Sequence, residues 1–215
     1  MATATTIDTL ADLVEQLGGI PLRRIRYQPY PGTATEADVL KALEAPRKRL
    51  CELIDGVLVE KTMGYSESIL ASFLIELLNS VVRTRNLGHV TSPDGPLRLW
   101  SGRIRLPDVA FVSWDRLPHR RRPEEPIPDL VPDLAVEILS ANNTAAEMRL
   151  KRQDYFSTGV RLVWEIDPAT RTARVYSAVD TFTELREADT LDGAPVLPGF
   201  TLPLRQLFAE LDRQG

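Results

Sequence analysis

The sequence has little of the material from which soft metal sites and disulfide frameworks are built. Its 215 residues include one cysteine, Cys51, and two histidines, His89 and His119. A disulfide within the chain is therefore excluded, and a zinc site of histidine and cysteine ligands has almost nothing to be made from. Any bound metal is expected to be a hard cation held by oxygen ligands.

Long apolar runs are also missing. No stretch of the sequence approaches the ~18 consecutive apolar residues that a membrane-spanning helix needs. The opening residues, Met1–Thr9, are small and polar, and they lack the basic and apolar segments of a secretory signal. Together with the single cysteine, these absences predict a cytoplasmic protein without a membrane partner.

The charge balance is acidic overall but basic in one stretch. The chain carries 26 Lys and Arg against 30 Asp and Glu, a net charge of -4, which argues weakly against a nucleic-acid partner. Between positions 98 and 122, however, seven arginines face only two acids, Asp108 and Asp115. These are Arg98, Arg103, Arg105, Arg116, Arg120, Arg121 and Arg122. Such a stripe can bind phosphates, and a solvated loop is the alternative.

One turn, one long helix and one helix cap give the clearest local signals. Asp55-Gly56 is a dipeptide favoured in two-residue hairpin turns. Apolar residues recur every four positions from Ile69 to Val81, which predicts a helix with one buried face. Thr144 and Glu147 have the spacing of a capping box at the start of another helix.

The order of these patterns predicts an α/β fold with a mixed sheet and helices packed on it. Helices are predicted over Thr9–Leu17, Thr35–Leu43, Tyr65–Leu87, Thr144–Ser157 and Leu202–Leu211. Strands are predicted over Arg49–Ile54, Val57–Lys61, His89–Thr91, Pro96–Trp100, Leu106–Trp114, Asp133–Leu139, Arg161–Ile166, Arg171–Ser177 and Phe182–Leu185. His89–Thr91 and Pro96–Trp100 are placed around a turn at Asp94-Gly95, and the five prolines of Pro118–Pro132 predict a loop.

Two carboxylates occur in apolar strand patterns. Asp108 precedes the run Val109–Val112, and Glu137 lies inside Ala135–Leu139. A lone carboxylate in a buried strand is costly unless it is paired or binds a cation. Two of them on strands that could be neighbours suggest a shared Mg²⁺, to which the carbonyl of Ile138 could add a ligand. The alternative is that both acids face solvent at strand ends.

Two further residues are candidates for the same site. Lys151 lies on the helix that follows the strand of Glu137, and its helical neighbours Met148 and Tyr155 are expected to face the sheet. From there it could orient a water molecule or offset phosphate charge, and a surface lysine is the alternative. Glu52, in the predicted hairpin, is either a further acid near the metal or an ordinary strand glutamate.

Several ordered motifs resemble the Uma-two family of restriction endonucleases, part of the PD-(D/E)XK nuclease superfamily. They are Cys51-Glu52-Leu53-Ile54-Asp55-Gly56, Pro107-Asp108, Val136-Glu137-Ile138-Leu139-Ser140, Lys151, and Tyr155 through Gly159-Val160 to Val163-Trp164-Glu165-Ile166-Asp167-Pro168. The resemblance spans roughly Arg49 to Leu211. It implies a restriction-endonuclease-like core, DNA cleavage that depends on Mg²⁺ with Mn²⁺ as an alternative, and a homodimer.

The resemblance also assigns roles. Asp108 takes the place of the superfamily's first aspartate and Glu137 that of its second acid, so both are expected to bind the metal. The usual lysine would fall on Leu139, and Lys151 on the next helix stands in for it. Glu52 matches the acid of the family's hairpin motif. A departure at Ser140-Ala141-Asn142-Asn143, where the family commonly has a proline after the serine, affects a loop.

The sequence thus predicts a metal-dependent DNA endonuclease. Residues 1–48 are interpreted as accessory helices packed on the core and residues 49–215 as the nuclease-like domain, together forming one compact unit. Two alternatives stay open. One is a nuclease-fold protein that binds nucleic acid without cleaving it, and the other is a scaffold protein with a structural cluster of acids.

Overall fold

The computed structural model describes residues 7–214, which form five α-helices, three short 3-10 helices and twelve strands. The helices are α1 (Leu10–Gln16), α2 (Glu36–Glu44), α3 (Tyr65–Thr84), α4 (Ala145–Ser157) and α5 (Leu204–Ala209). The strands are β1 (Cys51–Ile54), β2 (Val57–Glu60), β3 (Gly88–Thr91), β4 (Leu97–Trp100), β5 (Arg103–Arg105), β6 (Val109–Ser113), β7 (Leu134–Ile138), β8 (Leu162–Asp167), β9 (Thr172–Ala178), β10 (Thr181–Arg186), β11 (Thr190–Asp192) and β12 (Thr201–Pro203).

The central element is a six-stranded mixed sheet in the order β10-β9-β8-β7-β6-β3. β7 and β8 are parallel and are joined by α4, whereas β6 is antiparallel to β7 and β9 is antiparallel to β8. A parallel pair needs a crossover connection, and this connection carries α4 across the sheet. A second sheet has the order β2-β1-β5-β4, and β11 pairs with β12.

The main hydrophobic core lies between α3 and the six-stranded sheet. Leu70, Leu74 and Leu78 are buried on one face of α3 and belong to the same cluster as Val136 and Trp164 of the sheet. By length and composition alone α3 could cross a membrane, since an 18-residue window within it has a mean hydropathy of 1.2. A core helix of a soluble domain meets the same criterion, so this is weak support for a membrane span.

The N-terminal helices pack on the hairpin of β1 and β2. Leu13 of α1 and Leu17, which directly follows this helix, cluster with Val57 and Val59 of β2. Val39 of α2 belongs to a separate cluster that includes Cys51, Leu53 and Ile104. Burial raises the pKa of the Cys51 thiol to about 11, so the thiol stays protonated and packs as a small apolar side chain. The division of the chain at residue 48 stays a prediction.

The predicted hairpin at Asp55-Gly56, the turn at Asp94-Gly95 between β3 and β4, and the helices α3 and α4 are confirmed. β3 and β4 do not pair with each other, because β3 pairs with β6 and β4 pairs with β5. Three details of the prediction are wrong. β5 was not predicted, and Leu202–Leu211 begins as β12 before α5 starts at Leu204. Thr144 does cap α4, but the Glu147 carboxylate bonds Arg24 and does not complete the box.

Candidate active site

Asp108, just before β6, and Glu137 of the neighbouring strand β7 lie close together. Val109 pairs with Val136 in the antiparallel β6–β7 ladder, and the Asp108 amide donates to the Val136 carbonyl at 2.9 Å. Both side chains are buried, with 3% and 4% of their surface exposed. The alternative of two solvent-facing acids is therefore wrong.

Each oxygen of Asp108 has a donor from a different element. Oδ2 accepts a hydrogen bond from the Ile138 amide at 2.6 Å, which ties the end of β7 to the start of β6. Oδ1 lies 2.8 Å from the Nζ atom of Lys61, which follows β2. Lys61 also donates to the carbonyl of Leu106. The hairpin thereby delivers a cation to an acid of the central sheet.

Glu137 is held by two residues of α4. Lys151 Nζ donates to Oε2 at 2.9 Å, and the Tyr155 hydroxyl donates to Oε1 at 2.6 Å. The two donors are four residues apart and so lie on one face of the helix, which the crossover directs onto the sheet. Lys151 is 2% exposed. The alternative of a surface lysine is therefore wrong.

Glu52 joins the same cluster through Lys151. Its Oε1 lies 3.2 Å from Lys151 Nζ and accepts from the Leu106 amide at 3.1 Å. Its Oε2 is 2.7 Å from Arg105 Nη1, and Arg105 in turn pairs with Asp154. All four residues selected from the sequence are thus brought together. Their roles in catalysis and metal binding stay predictions.

Burial and charge push the pKa values of these groups apart. Burial raises the pKa of Glu137, and the nearby lysines offset this only in part. Burial alone would also raise the pKa of Glu52, but Lys151 and Arg105 outweigh it and lower that pKa. For Lys151, burial alone would lower the pKa, yet Glu137 and Glu52 raise it, so the ammonium stays charged. Burial and the neighbouring Glu137 raise the pKa of Tyr155, which keeps its hydroxyl a donor.

Three residues of this cluster were not predicted in their observed roles. Lys61 and Asp154 were not singled out, and Arg105 was assigned to phosphate binding although it is buried between Glu52 and Asp154. A usable signal existed for Arg105, since it directly precedes an apolar strand and a buried arginine requires acidic partners. Lys61 follows Glu60 at the end of the predicted hairpin, where a lysine gives no such signal.

Most arginines of the predicted stripe form ion pairs within the protein. Arg98 pairs with Glu36 and Asp129, and Arg116 pairs with Asp133. Arg103 pairs with Asp55 in the same way. The remaining arginines, Arg120, Arg121 and Arg122, are exposed. Only this last group keeps the surface exposure that phosphate binding by the stripe would need.

A second buried ion pair lies one strand away from Glu137. Glu165 of β8 is the register partner of Glu137, and Arg152 of α4 bonds its carboxylate. The Arg152 guanidinium also stacks over the ring of Tyr176 at 4.2 Å. Beside this pair opens a cavity of about 640 Å³. Its lining includes Leu139, the residue that stands at the superfamily's usual lysine position.

The donor set suits a hard divalent cation held by few protein ligands. Across residues 7–214, no group of three or more His, Cys, Asp or Glu side chains is arranged to hold a metal ion. Mg²⁺ needs only one or two carboxylates, because water and phosphate oxygens complete its coordination. Asp108 and Glu137, which lie close together where β6 and β7 pair, provide such a pair. The residues present therefore fit Mg²⁺ but offer no closed protein cage.

The fold and these acids define a nuclease-like α/β protein. The sequence model of the Uma2 family, described as "Putative restriction endonuclease", matches residues 37–205. The chain belongs to this family. The resemblance noted from the sequence motifs is thereby confirmed.

A solved structure supports the same fold. The chain is similar to a "putative nuclease belonging to DUF820" from Anabaena variabilis, with a TM-score of 0.66 and 21% sequence identity. The similarity covers 76% of this chain and 92% of that chain. A search of curated proteins finds no significant match. The restriction-endonuclease-like core predicted from the sequence is confirmed.

Proposed function

We propose that this protein is a metal-dependent endonuclease that hydrolyses phosphodiester bonds of DNA. The observation that carries the proposal is the placement of the buried acids Asp108 and Glu137 where β6 and β7 pair, with Lys151 Nζ 2.9 Å from the Glu137 carboxylate. Membership of the Uma2 family and the fold of the Anabaena protein support a nuclease. The metal and the DNA substrate are our proposal.

Each buried group has a role in this proposal. Asp108 and Glu137 would hold Mg²⁺, with Mn²⁺ as an alternative; when bound, the metal supplies a Lewis acid and an acidified water. Lys151 keeps its charge because its pKa is raised, so it serves as a cation that offsets phosphate charge and not as a general base. Glu52 orients Lys151, and Tyr155 orients Glu137.

Binding of DNA would rest on the exposed arginines Arg120, Arg121 and Arg122 together with the metal. Contacts between arginine and phosphate release counterions, so affinity should fall steeply as the salt concentration rises. We also propose a homodimer and a cytoplasmic location, as the sequence analysis predicts. Neither of these two proposals is needed for the chemistry described above.

One observation favours a second candidate function. Every oxygen of Asp108 and Glu137 already has a protein donor, and both acids are buried. A nuclease-fold protein that binds nucleic acid without cleaving it would show this closed arrangement. Calorimetric titration with Mn²⁺ separates the two functions, because the non-cleaving protein should bind no metal that depends on Glu137.

The experiment that tests the proposed function is cleavage of supercoiled plasmid with Mg²⁺ or Mn²⁺, with and without a chelator. Wild type should nick the plasmid only when metal is available. Asp108→Ala should lose this activity because a ligand is removed, and Lys151→Ala should lose it because the phosphate charge is no longer offset. Activity that resists the chelator, or full activity of Asp108→Ala, would overturn the proposal.

Arg149→Ala is the matched control for Lys151→Ala. Arg149 lies on the same helix, but it faces solvent and pairs with Asp180 at 2.8 Å. Its removal should leave cleavage unchanged. If Arg149→Ala and Lys151→Ala lost activity equally, α4 as a whole would be sensitive to substitution and the role of Lys151 would fall.

A further inference from the structure

Lys61 is a second lysine in the site, and the proposed function above does not use it. It directly follows β2, where its amide donates to the Leu50 carbonyl at 2.7 Å and so extends the hairpin. Its ammonium reaches across to Asp108 Oδ1 at 2.8 Å and bonds the Leu106 carbonyl. The side chain is 5% exposed. Lys61 is therefore a buried cation held by an acid that is expected to bind metal.

The oxygen that Lys61 occupies is the one with most freedom to accept a different ligand. Oδ2 of Asp108 is committed to the Ile138 amide at 2.6 Å, a bond that holds two central strands together. Oδ1 has no such backbone partner and contacts Lys61. A divalent cation that binds Asp108 would thus compete for the oxygen on which the ammonium sits.

A lysine can release a carboxylate more easily than an arginine can. Arg24 grips both oxygens of Glu147, at 2.8 Å and 2.6 Å, and this two-pronged geometry fixes the pair. Lys61 contacts its carboxylate through one nitrogen on a flexible stem. Next to it, the buried hydroxyl of Thr62 has no hydrogen-bond partner. The segment that carries Lys61 is thus incompletely satisfied in its present arrangement.

We propose that Lys61 is an internal competitor of the divalent metal at Asp108. Its ammonium neutralises the buried carboxylate and must leave Oδ1 when the metal binds, so Lys61 sets the metal affinity of the site. The physical cause is that the Lys61 ammonium and the divalent cation carry like charges, which repel each other strongly in the poorly screened interior. The inference rests on the proposed function, because it requires a metal at Asp108.

The test is calorimetric titration of wild type and Lys61→Met with Mn²⁺, combined with thermal unfolding with and without Mn²⁺. Lys61→Met should bind Mn²⁺ about tenfold more tightly or better, because one repelling charge is gone. Without metal, the same variant should melt at a lower temperature than wild type, since Asp108 loses its partner. Mn²⁺ should then raise its melting temperature by more than it raises that of wild type.

Three variants complete the design. Lys61→Arg keeps the charge and should bind Mn²⁺ no more tightly than wild type. Lys48→Met removes an exposed lysine paired with Asp94 and should change nothing. If Lys61→Met does not fold, Lys61→Gln, which keeps a donor for Asp108, carries the same expectation of tighter binding.

Failure of this inference and failure of the proposed function give different results. If Asp108→Ala abolishes Mn²⁺ binding but Lys61→Met binds no more tightly than wild type, the competitor role is wrong and the metal site stands. If Asp108→Ala binds Mn²⁺ as tightly as wild type, the metal is not at Asp108 and both proposals fall.

Discussion

The two ends of β7 each bury an acid, and the acids are handled in opposite ways. Asp133, just before the strand, is 1% exposed and accepts from the Ser113 amide at 2.8 Å and from two arginines. Glu137, near the other end, is held by a lysine and a tyrosine. One acid is thus fixed by arginines that reach solvent, and the other by donors that are themselves buried.

The pKa directions express this difference. Burial alone would raise the pKa of Asp133, but the hydrogen bond from Ser113 and the charge of Arg116 outweigh it and lower the pKa. Burial raises the pKa of Glu137 in spite of Lys151. A carboxylate whose charge is fully compensated stabilises the fold, whereas one with uncompensated charge remains able to gain from a cation. The comparison therefore separates an acid whose charge is compensated from one whose charge is compensated only in part, at the two ends of β7.

The largest expected effect is that Glu137→Gln loses activity whereas Asp133→Asn loses stability. Glu137→Gln should lower metal-dependent plasmid cleavage by more than about 100-fold, because loss of a ligand exceeds the 10- to 100-fold effect of losing a partner of a ligand. Asp133→Asn should keep its cleavage per folded molecule but lose about 1–3 kcal/mol of stability, because a charged acceptor is lost. Cleavage assays measure the activity of both variants, and urea unfolding measures their stability. Equal loss of activity in both would erase the distinction between the two ends of β7.

A smaller effect is expected from Tyr155→Phe, which removes the hydroxyl that donates to Glu137 Oε1 at 2.6 Å. The ring stays, so packing is preserved, but the carboxylate loses one of its two donors. Metal affinity should fall about 10- to 100-fold, as for other partners of metal ligands. Calorimetry with Mn²⁺ measures it. The control is Tyr176→Phe, a change on β9 whose ring is covered by Arg152, and this variant should bind metal as wild type does.

The sequence predicted the parts of this comparison that depend on local patterns. Asp108 and Glu137 stand out because a charge within an apolar strand needs a partner, and that argument requires no knowledge of the fold. Helical spacing predicted that Met148 and Tyr155 face the sheet, and it made Lys151, which lies between them on α4, a candidate for the same site. The hairpin at Asp55-Gly56 followed from its turn residues in the same way.

What the sequence did not predict depends on contacts between distant elements. Lys61 meets Asp108 only because the hairpin of β1 and β2 packs beside the start of β6, and no periodicity encodes that. β5 was missed since Arg103 and Arg105 are charged, although Arg105 is neutralised by acids from β1 and α4. The same hidden pairing explains why the arginine stripe looked free for phosphate binding.

The smallest expected effect, and the most direct test of the comparison, is the pH dependence of stability. Because the pKa of Asp133 is lowered, the ionised carboxylate stabilises the folded protein fully above its unfolded pKa of 3.8. This stabilisation is lost only as the pH falls below that value and through the lower pKa of the folded state. Because the pKa of Glu137 is raised, ionising it costs stability as the pH rises above 4.5. From about pH 7 down to pH 5, the stability gap between wild type and Asp133→Asn should therefore stay constant. As the pH falls over the same range, the free energy of unfolding of wild type should rise relative to that of Glu137→Gln, by at most about 1.4 kcal/mol per pH unit.

Urea unfolding of the three proteins at several pH values, without metal, measures these gaps. Subtracting each variant from wild type removes the titration of every other acid, so the slope reports the substituted residue and the groups coupled to it. Parallel gaps would show that both acids are equally ionised in the folded protein. In that case the lysine at Glu137 would compensate its charge as fully as the arginines compensate Asp133, and the physical reason for expecting a cation at that end of β7 would be gone.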